Sequence, residues 1–302
     1  VPPARMTFRE WMLLALLSMV WGGSFFFVEI ALRELHPLPV VFGRVAAAAC
    51  VLWAVVAVRY RPALAAMTLR DWGALLVMGV LNNAAPFFLI TWGQVHIDSS
   101  LASILIAAVP LFTVLLAHYF AGDEPMSGRA LTGVALGFAG VVALVGPGAL
   151  LQFGDRTLGQ LAVLGAAASY ATANIFGKRL KHLPLVIAAA GMLSGSGVLL
   201  ALLMWAAGQT FTPAIGAATW AALLALALLS TALAYLIYFR ILITAGATNL
   251  SLVAFLIPIN AILLGVFVLN ETLAPSAWAG IALIFAGLAV IDGRVVGWLR
   301  RW

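Results

Sequence analysis

The chain is written as apolar blocks about 20 residues long, each closed by a charge, a glycine or a proline: about 11–32, 38–58, 72–93, 99–120, 129–146, 158–178, 184–207, 217–240, 249–270 and 276–293. A helix rises 1.5 Å per residue, so one block crosses the ~30 Å hydrocarbon core of a bilayer. Within hydrocarbon every backbone N–H and C=O must be satisfied inside the protein, which leaves helices or closed barrels. Barrel strands would be about 10 residues long with strict alternation, and no such pattern is present. Soluble domains carry about 25% charged residues, against 9% here. The reading is an all-α polytopic membrane protein with ten transmembrane helices.

The first block is too long for a signal h-region and lacks a small-residue cleavage site, so it reads as a span. The single cysteine, Cys50, excludes an intrachain disulfide and says nothing of redox compartment. The net charge of +6 sits at block ends, where it orients the chain in the membrane rather than binding nucleic acid. With both termini on the cytoplasmic side, 13 of the 16 Lys and Arg fall inside, leaving Arg33, Arg44 and Arg156 outside. The positive-inside rule therefore predicts N-in, C-in. Connectors are short, and no soluble domain fits between blocks.

Two blocks spell one unusual element. Residues 104–125 read ILIAAVPLFTVLLAHYFAGDEP, and 252–275 read LVAFLIPINAILLGVFVLNETLAP. Pro110 and Pro258 are 148 positions apart, while Glu124 and Glu271 are 147 apart. The second offset also aligns Gly133 with Gly280 and Gly140 with Gly287, and it sets Trp21 near Tyr170. The duplication divides the chain into a first repeat at 1–147, a periplasmic connector at 148–157 and a second repeat at 158–302. Each repeat holds five spans. Five is odd, so the second copy enters from the opposite face, an arrangement characteristic of secondary transporters. Pro110 and Pro258 each remove a backbone bond inside a span and read as hinge or gate positions, or as static kinks.

This pattern of proline, glutamate about 13–14 residues on, and a glycine-spaced last span, twice over, resembles the EamA-type repeat of the drug/metabolite transporter superfamily. Within it the chain most resembles bacterial inner-membrane exporters of amino acids, aromatic amino acids in particular. The resemblance implies ten helices, a central cavity and efflux of small metabolites from the bacterial inner membrane. Exporters of cationic drugs or other metabolites in the same superfamily remain the alternative, and an intramembrane enzyme and a channel are the rivals from other classes.

Polar side chains inside a membrane should face the bundle interior. Trp21, Ser24 and Phe25 share a face by i, i+3, i+4 spacing. Asn82 and Asn83 lie near the middle of the third span, Tyr170 and Asn174 are an i, i+4 pair on the sixth, and Thr231, Tyr235 and Tyr238 share a face of the eighth. Amides, hydroxyls and aromatic rings suit a small zwitterion with an apolar side chain. The same side chains would also serve as interhelical hydrogen bonds. Glu29 and Arg44 are a possible charge pair, with Arg44 alternatively meeting a substrate carboxylate. No acid occupies the middle of a span, which speaks against a deep proton-coupling carboxylate.

The glycine runs GVALGFAG (133–140) and GMLSGSG (191–197) suit tight packing within the bundle or a dimer face, so the chain reads as a monomer or homodimer. Tryptophans near block ends, such as Trp11, Trp72 and Trp278, read as contacts with lipid headgroups. The chemistry speaks against an enzyme, and inverted duplication within one chain fits alternating access better than a channel. No histidine is in depth register with Ser194 or Ser196, no paired acidic motif holds a metal, and no nucleotide loop is present. No cofactor, metal or nucleic-acid partner is expected; the partners are a small amino acid-like substrate and lipid.

Overall fold

The computed structural model describes residues 6–120, 128–145, 154–210 and 214–292. Among the described residues the chain is helical with no strand. Its main helices are α1 (Phe8–Leu32), α2 (Pro37–Arg59), α3 (Leu69–Gly79, Val80–Ala84 and Ala85–Gly93 in succession), α4 (Ser99–Ile106 and Val109–Phe120), α5 (Gly128–Val145), α6 (Asp155–Phe176), α7 (Leu185–Ala206), α8 (Ala217–Leu224, Ala225–Leu233 and Ala234–Thr244), α9 (Ala247–Leu250 and Val253–Val268) and α10 (Pro275–Asp292). Six stretches, in α1 to α4, α7 and α8, are long and apolar enough to cross a membrane, and α5, α9 and α10 contain shorter apolar helices. Glu124, most of the 148–157 connector and the arginines beyond Asp292 lie outside the described residues.

The surface explains the composition. Leu16, Met19, Val58, Val142, Leu202, Trp205 and Phe267 are large, apolar and exposed. In water such a surface would aggregate; in lipid it costs nothing. α7 and α9 are apolar on every side, which marks helices embedded in an apolar medium. This is a polytopic membrane protein.

With lipid outside, helices associate through close packing rather than hydrophobic exclusion, which favours small residues at contacts. The glycines sit accordingly. A Cβ on Gly133 would stand 2.7 Å from the Gly287 carbonyl oxygen, and one on Gly140 equally close to that of Gly280. These glycines hold α5 against α10. Gly191 abuts Leu75, and Gly195 abuts Leu76, so the second glycine run packs α7 on α3. Both runs are used within the chain.

Helix starts are written locally. Thr7 and Glu10 form a capping box at α1, and Thr68 and Asp71 another at α3. The start of α4 is capped from a distance. Glu271 accepts the N–H groups of Ser99 and Ser100 at 2.9 and 3.0 Å and both their hydroxyls. Asn270, with φ 60°, turns the chain out of α9 in the left-handed region and brings Glu271 there. Gly265 leaves the room, because a Cβ would collide with the Ser100 hydroxyl and the Glu271 carboxylate.

Candidate functional site

α3 and α8 each widen into a π-helical turn, at Val80–Ala84 and Ala225–Leu233. Pro86 accounts for the first, since it cannot donate to the carbonyl a turn behind it; the N–H of Ala85 instead reaches the Val80 carbonyl. In the second, the Thr231 hydroxyl donates to the Leu226 carbonyl at 2.8 Å. Such turns commonly mark functional sites because they rotate side chains off the regular helical stripe.

The first wide turn meets Tyr235, just past the second, at a polar centre. Asn82 Nδ2 donates to the Tyr235 hydroxyl at 3.0 Å, and that hydroxyl donates to Asn83 Oδ1 at 2.8 Å. Asn82 also approaches Met192 Sδ at 3.9 Å. Arg44 of α2 is buried beside them, its Nε donating to Thr231 Oγ1 at 2.8 Å and its guanidinium lying over the Phe87 ring. Tyr170 and Tyr235 both interact electrostatically with Arg44. Five of the expected site residues, Asn82, Asn83, Tyr170, Thr231 and Tyr235, thus meet in one cluster.

The others are placed differently. Trp21 packs on Tyr238, ring centres 5.8 Å apart, in an aromatic run that continues through Phe239 to Tyr235. Phe25 does not share this wall. It is buried in the apolar cluster that also holds Leu101, Leu105 and Ala261 and extends to α5, α6 and α10. Ser24 is half-buried and makes no hydrogen bond among the described residues. Asn174 is exposed, donating to Thr113 at 3.4 Å. It stands near the end of α6, where the helix tightens into the 3-10 turn Gly177–Leu180.

The Glu29–Arg44 pair is not formed. Among the described residues Arg44 has only neutral partners, and Glu29 instead lies in the field of Glu271, Arg33 and Asp98. Glu29 stands about one turn from the end of α1 and Arg44 about two turns into α2, where it turns to Thr231 and Ser230 instead. Asp98, in the α3–α4 connector, is held above its ordinary carboxylate range by burial and then by the Glu271 carboxylate.

The prolines also diverge. α4 is interrupted at Ala107–Ala108, directly before Pro110, whereas Pro258 lies inside an unbroken Val253–Val268. Ser194 and Ser196 donate to the Ala190 and Met192 carbonyls, so neither is a poised nucleophile.

Sequence reasoning passed over several residues. Phe87 is one turn beyond Asn83, and Ser230 adjoins Thr231, donating to the Val20 carbonyl at 2.9 Å. Asn260 bridges α9 to Ser18 of α1 at 3.0 Å. The Pro86 beside the asparagine pair was the available signal for the wide turn.

Comparison with known proteins agrees with this architecture. The profile of the EamA-like transporter family matches twice, over residues 9–146 and 157–292. An uncharacterized transporter of Archaeoglobus fulgidus is 29% identical over 88% of this chain and 91% of its own length. The uncharacterized inner membrane transporter YedA of Escherichia coli K12 is 26% identical, covering 92% and 89%. A "Probable terminal-alkyne amino-acid exporter" of Streptantibioticus cattleyicolor is 30% identical over 77% of each chain. A solved crystal structure superposes with a TM-score of 0.66 at 19% identity, covering 93% of this chain and 96% of its own, a likeness of fold. Those relatives are transporters and not enzymes, and this chain belongs to the EamA-like transporter family.

Proposed function

We propose that the chain is a ten-span secondary transporter of the bacterial inner membrane, both termini cytoplasmic, that exports small zwitterionic metabolites. Aromatic and other neutral amino acids are the preferred cargo. Two five-helix repeats, inverted with respect to each other, give alternating access to a central cavity.

One observation carries the inverted arrangement. The sequence offset makes Gly280 the copy of Gly133, and Gly287 the copy of Gly140. Gly133 touches Gly287 and Gly140 touches Gly280. The contacts exchange partners under the repeat, as a two-fold axis requires. The order of contact also runs antiparallel, so that axis turns one half over. Further pairs follow the same rule: α1 meets α8 as α6 meets α3, and α1 meets α9 as α6 meets α4.

The cargo reading rests on the central cluster. Its amides, hydroxyls and aromatic rings match a small polar head with an apolar side chain. The name of the S. cattleyicolor relative points the same way. A buried arginine in the centre disfavours cationic cargo.

The test is counterflow in proteoliposomes, using radiolabelled phenylalanine, threonine and methyl viologen. Phenylalanine exchange, lost in Asn82→Ala and Tyr235→Phe, is expected. Exchange of methyl viologen alone would end the amino-acid reading.

A further inference from the structure

Arg44 lies about two turns into α2 and is only 7% exposed. Its contacts are the Thr231 hydroxyl at 2.8 Å, the Ser230 carbonyl at 3.3 Å and the Phe87 ring at 3.8 Å from the guanidinium carbon. All three are neutral. Among the described residues no carboxylate pairs with it, and one terminal nitrogen has no hydrogen-bond partner. A buried cation without a counter-ion is strongly destabilising, and rings or carbonyls offset only part of that cost.

Two more donors lack partners in the same place. Asn83 is 0% exposed, its Oδ1 is committed to Tyr235, and its Nδ2 has no partner. The Tyr170 hydroxyl, within the field of Arg44 and Tyr235, makes no hydrogen bond among the described residues. The groups form a closed circuit. Arg44 touches Thr231 and Phe87; Tyr235 is one turn from Thr231, Asn83 is one turn from Phe87, and Tyr235 bonds Asn83. Arg44 and Asn83 are thus linked through Phe87 on one side and through Thr231 and Tyr235 on the other. What they lack in common is an acceptor bearing negative charge.

We propose that Arg44, with the Asn83 amide and the Tyr170 hydroxyl, seats the carboxylate of the transported substrate. The assignment rests on the transporter reading and adds the recognised group to it. Guanidinium and carboxylate match as a two-pronged, charge-assisted pair, so a carboxylate entering here fills every open donor. The asparagine–tyrosine relay orients Asn83, and Phe87 keeps the guanidinium flat against the wall. An arginine serving only to tie α2 to α8 would make the bonds to Thr231 and Ser230 but would not discriminate between ligands.

The experiment measures binding to the full chain in lipid nanodiscs, using phenylacetate, its uncharged isostere phenylacetamide, and phenylalanine. Wild-type protein should bind phenylacetate about ten- to hundredfold more tightly than phenylacetamide. Arg44→Gln should abolish that preference, and Arg44→Lys should keep part of it. The wild-type acid-to-amide comparison stands even if the variants fold poorly. Equal affinity for acid and amide, no binding of either acid, or an undiminished preference in a folded Arg44→Gln would each overturn the seat. Arg44-dependent binding of phenylacetate without phenylalanine exchange would sustain the seat and reject amino acids as the cargo.

Discussion

Helices α4 and α9 are copies of one sequence element, yet they are bent differently. α4 breaks at Ala107–Ala108 and restarts with Pro110 in its second position. α9 breaks earlier, at Ser251–Leu252, and runs through Pro258. Asn260 secures that region, donating to the Leu256 carbonyl and to Ser18 of α1, both at 3.0 Å. The equivalent position in α4 carries Phe112, which has no amide to offer. A proline removes a bond; its neighbours decide where the helix yields. In an alternating transporter one half must adopt what the other half leaves, so unequal copies in a single conformation are the expected condition.

The comparison breaks first where the copies touch. A Cβ on Gly287 would stand 2.5 Å from the Gly133 carbonyl oxygen and 2.7 Å from the Gly137 nitrogen, both fixed backbone. Gly287→Leu should cost about 3 kcal/mol or more and leave little folded protein. Gly73→Ala, with nothing within 4 Å, should be neutral or stabilise by up to about 1 kcal/mol. Detergent-solubilised thermal melts separate the two.

Glu271→Ala comes next, since it strips the start of α4 of every distant acceptor. The expected loss is roughly 2–3 kcal/mol, partly recovered by Glu271→Gln. Glu124→Ala, at the repeat-equivalent position, measures whether the other half depends on its acid equally.

Pro110→Ala restores a donor where α4 is broken and should slow exchange more than Pro258→Ala, whose helix is already continuous. Equal effects would mean that the asymmetry has no functional weight.

The smallest effect concerns matching connectors. Glu34 accepts the Gly216 N–H at 2.8 Å and the Thr219 hydroxyl at the start of α8, while His182 meets Asp71 at 2.8 Å at the start of α3. The Thr219 hydroxyl and then the Gly216 N–H hold the Glu34 carboxyl below its ordinary value of 4.5. Its contribution is therefore complete above that value and lost as pH falls through the lower folded one. Protection factors for exchange at Gly216 to Thr219, taken against the intrinsic rate at each pH, should fall on acidification through that range, and Glu34→Gln should remove the dependence.

The helices were legible because hydropathy and length carry their signal at close range. The polar centre was legible in part: Asn82, Asn83, Tyr170, Thr231 and Tyr235 stand at one depth, and depth can be counted along a helix. Rotation cannot. Helices apolar on all sides give no facing information, so the i, i+4 spacing puts Phe25 on the polar wall though it belongs to an apolar cluster. Position along the helices sets Arg44 and Glu29 towards the same end, whereas Thr231, 187 positions away, takes the Arg44 contact. Glu271 stood out in the sequence, but its target, Ser99 and Ser100, is fixed only by tertiary packing.

The most direct test is the sidedness of two equivalent connectors. Arg33 and Lys181, 148 positions apart and both exposed, are replaced singly by cysteine in a Cys50→Ala background and probed on intact cells with a membrane-impermeant maleimide. Inverted halves predict that Arg33→Cys is labelled from outside and Lys181→Cys only after the cytoplasmic face is opened. Labelling of both from the same side would contradict the inversion.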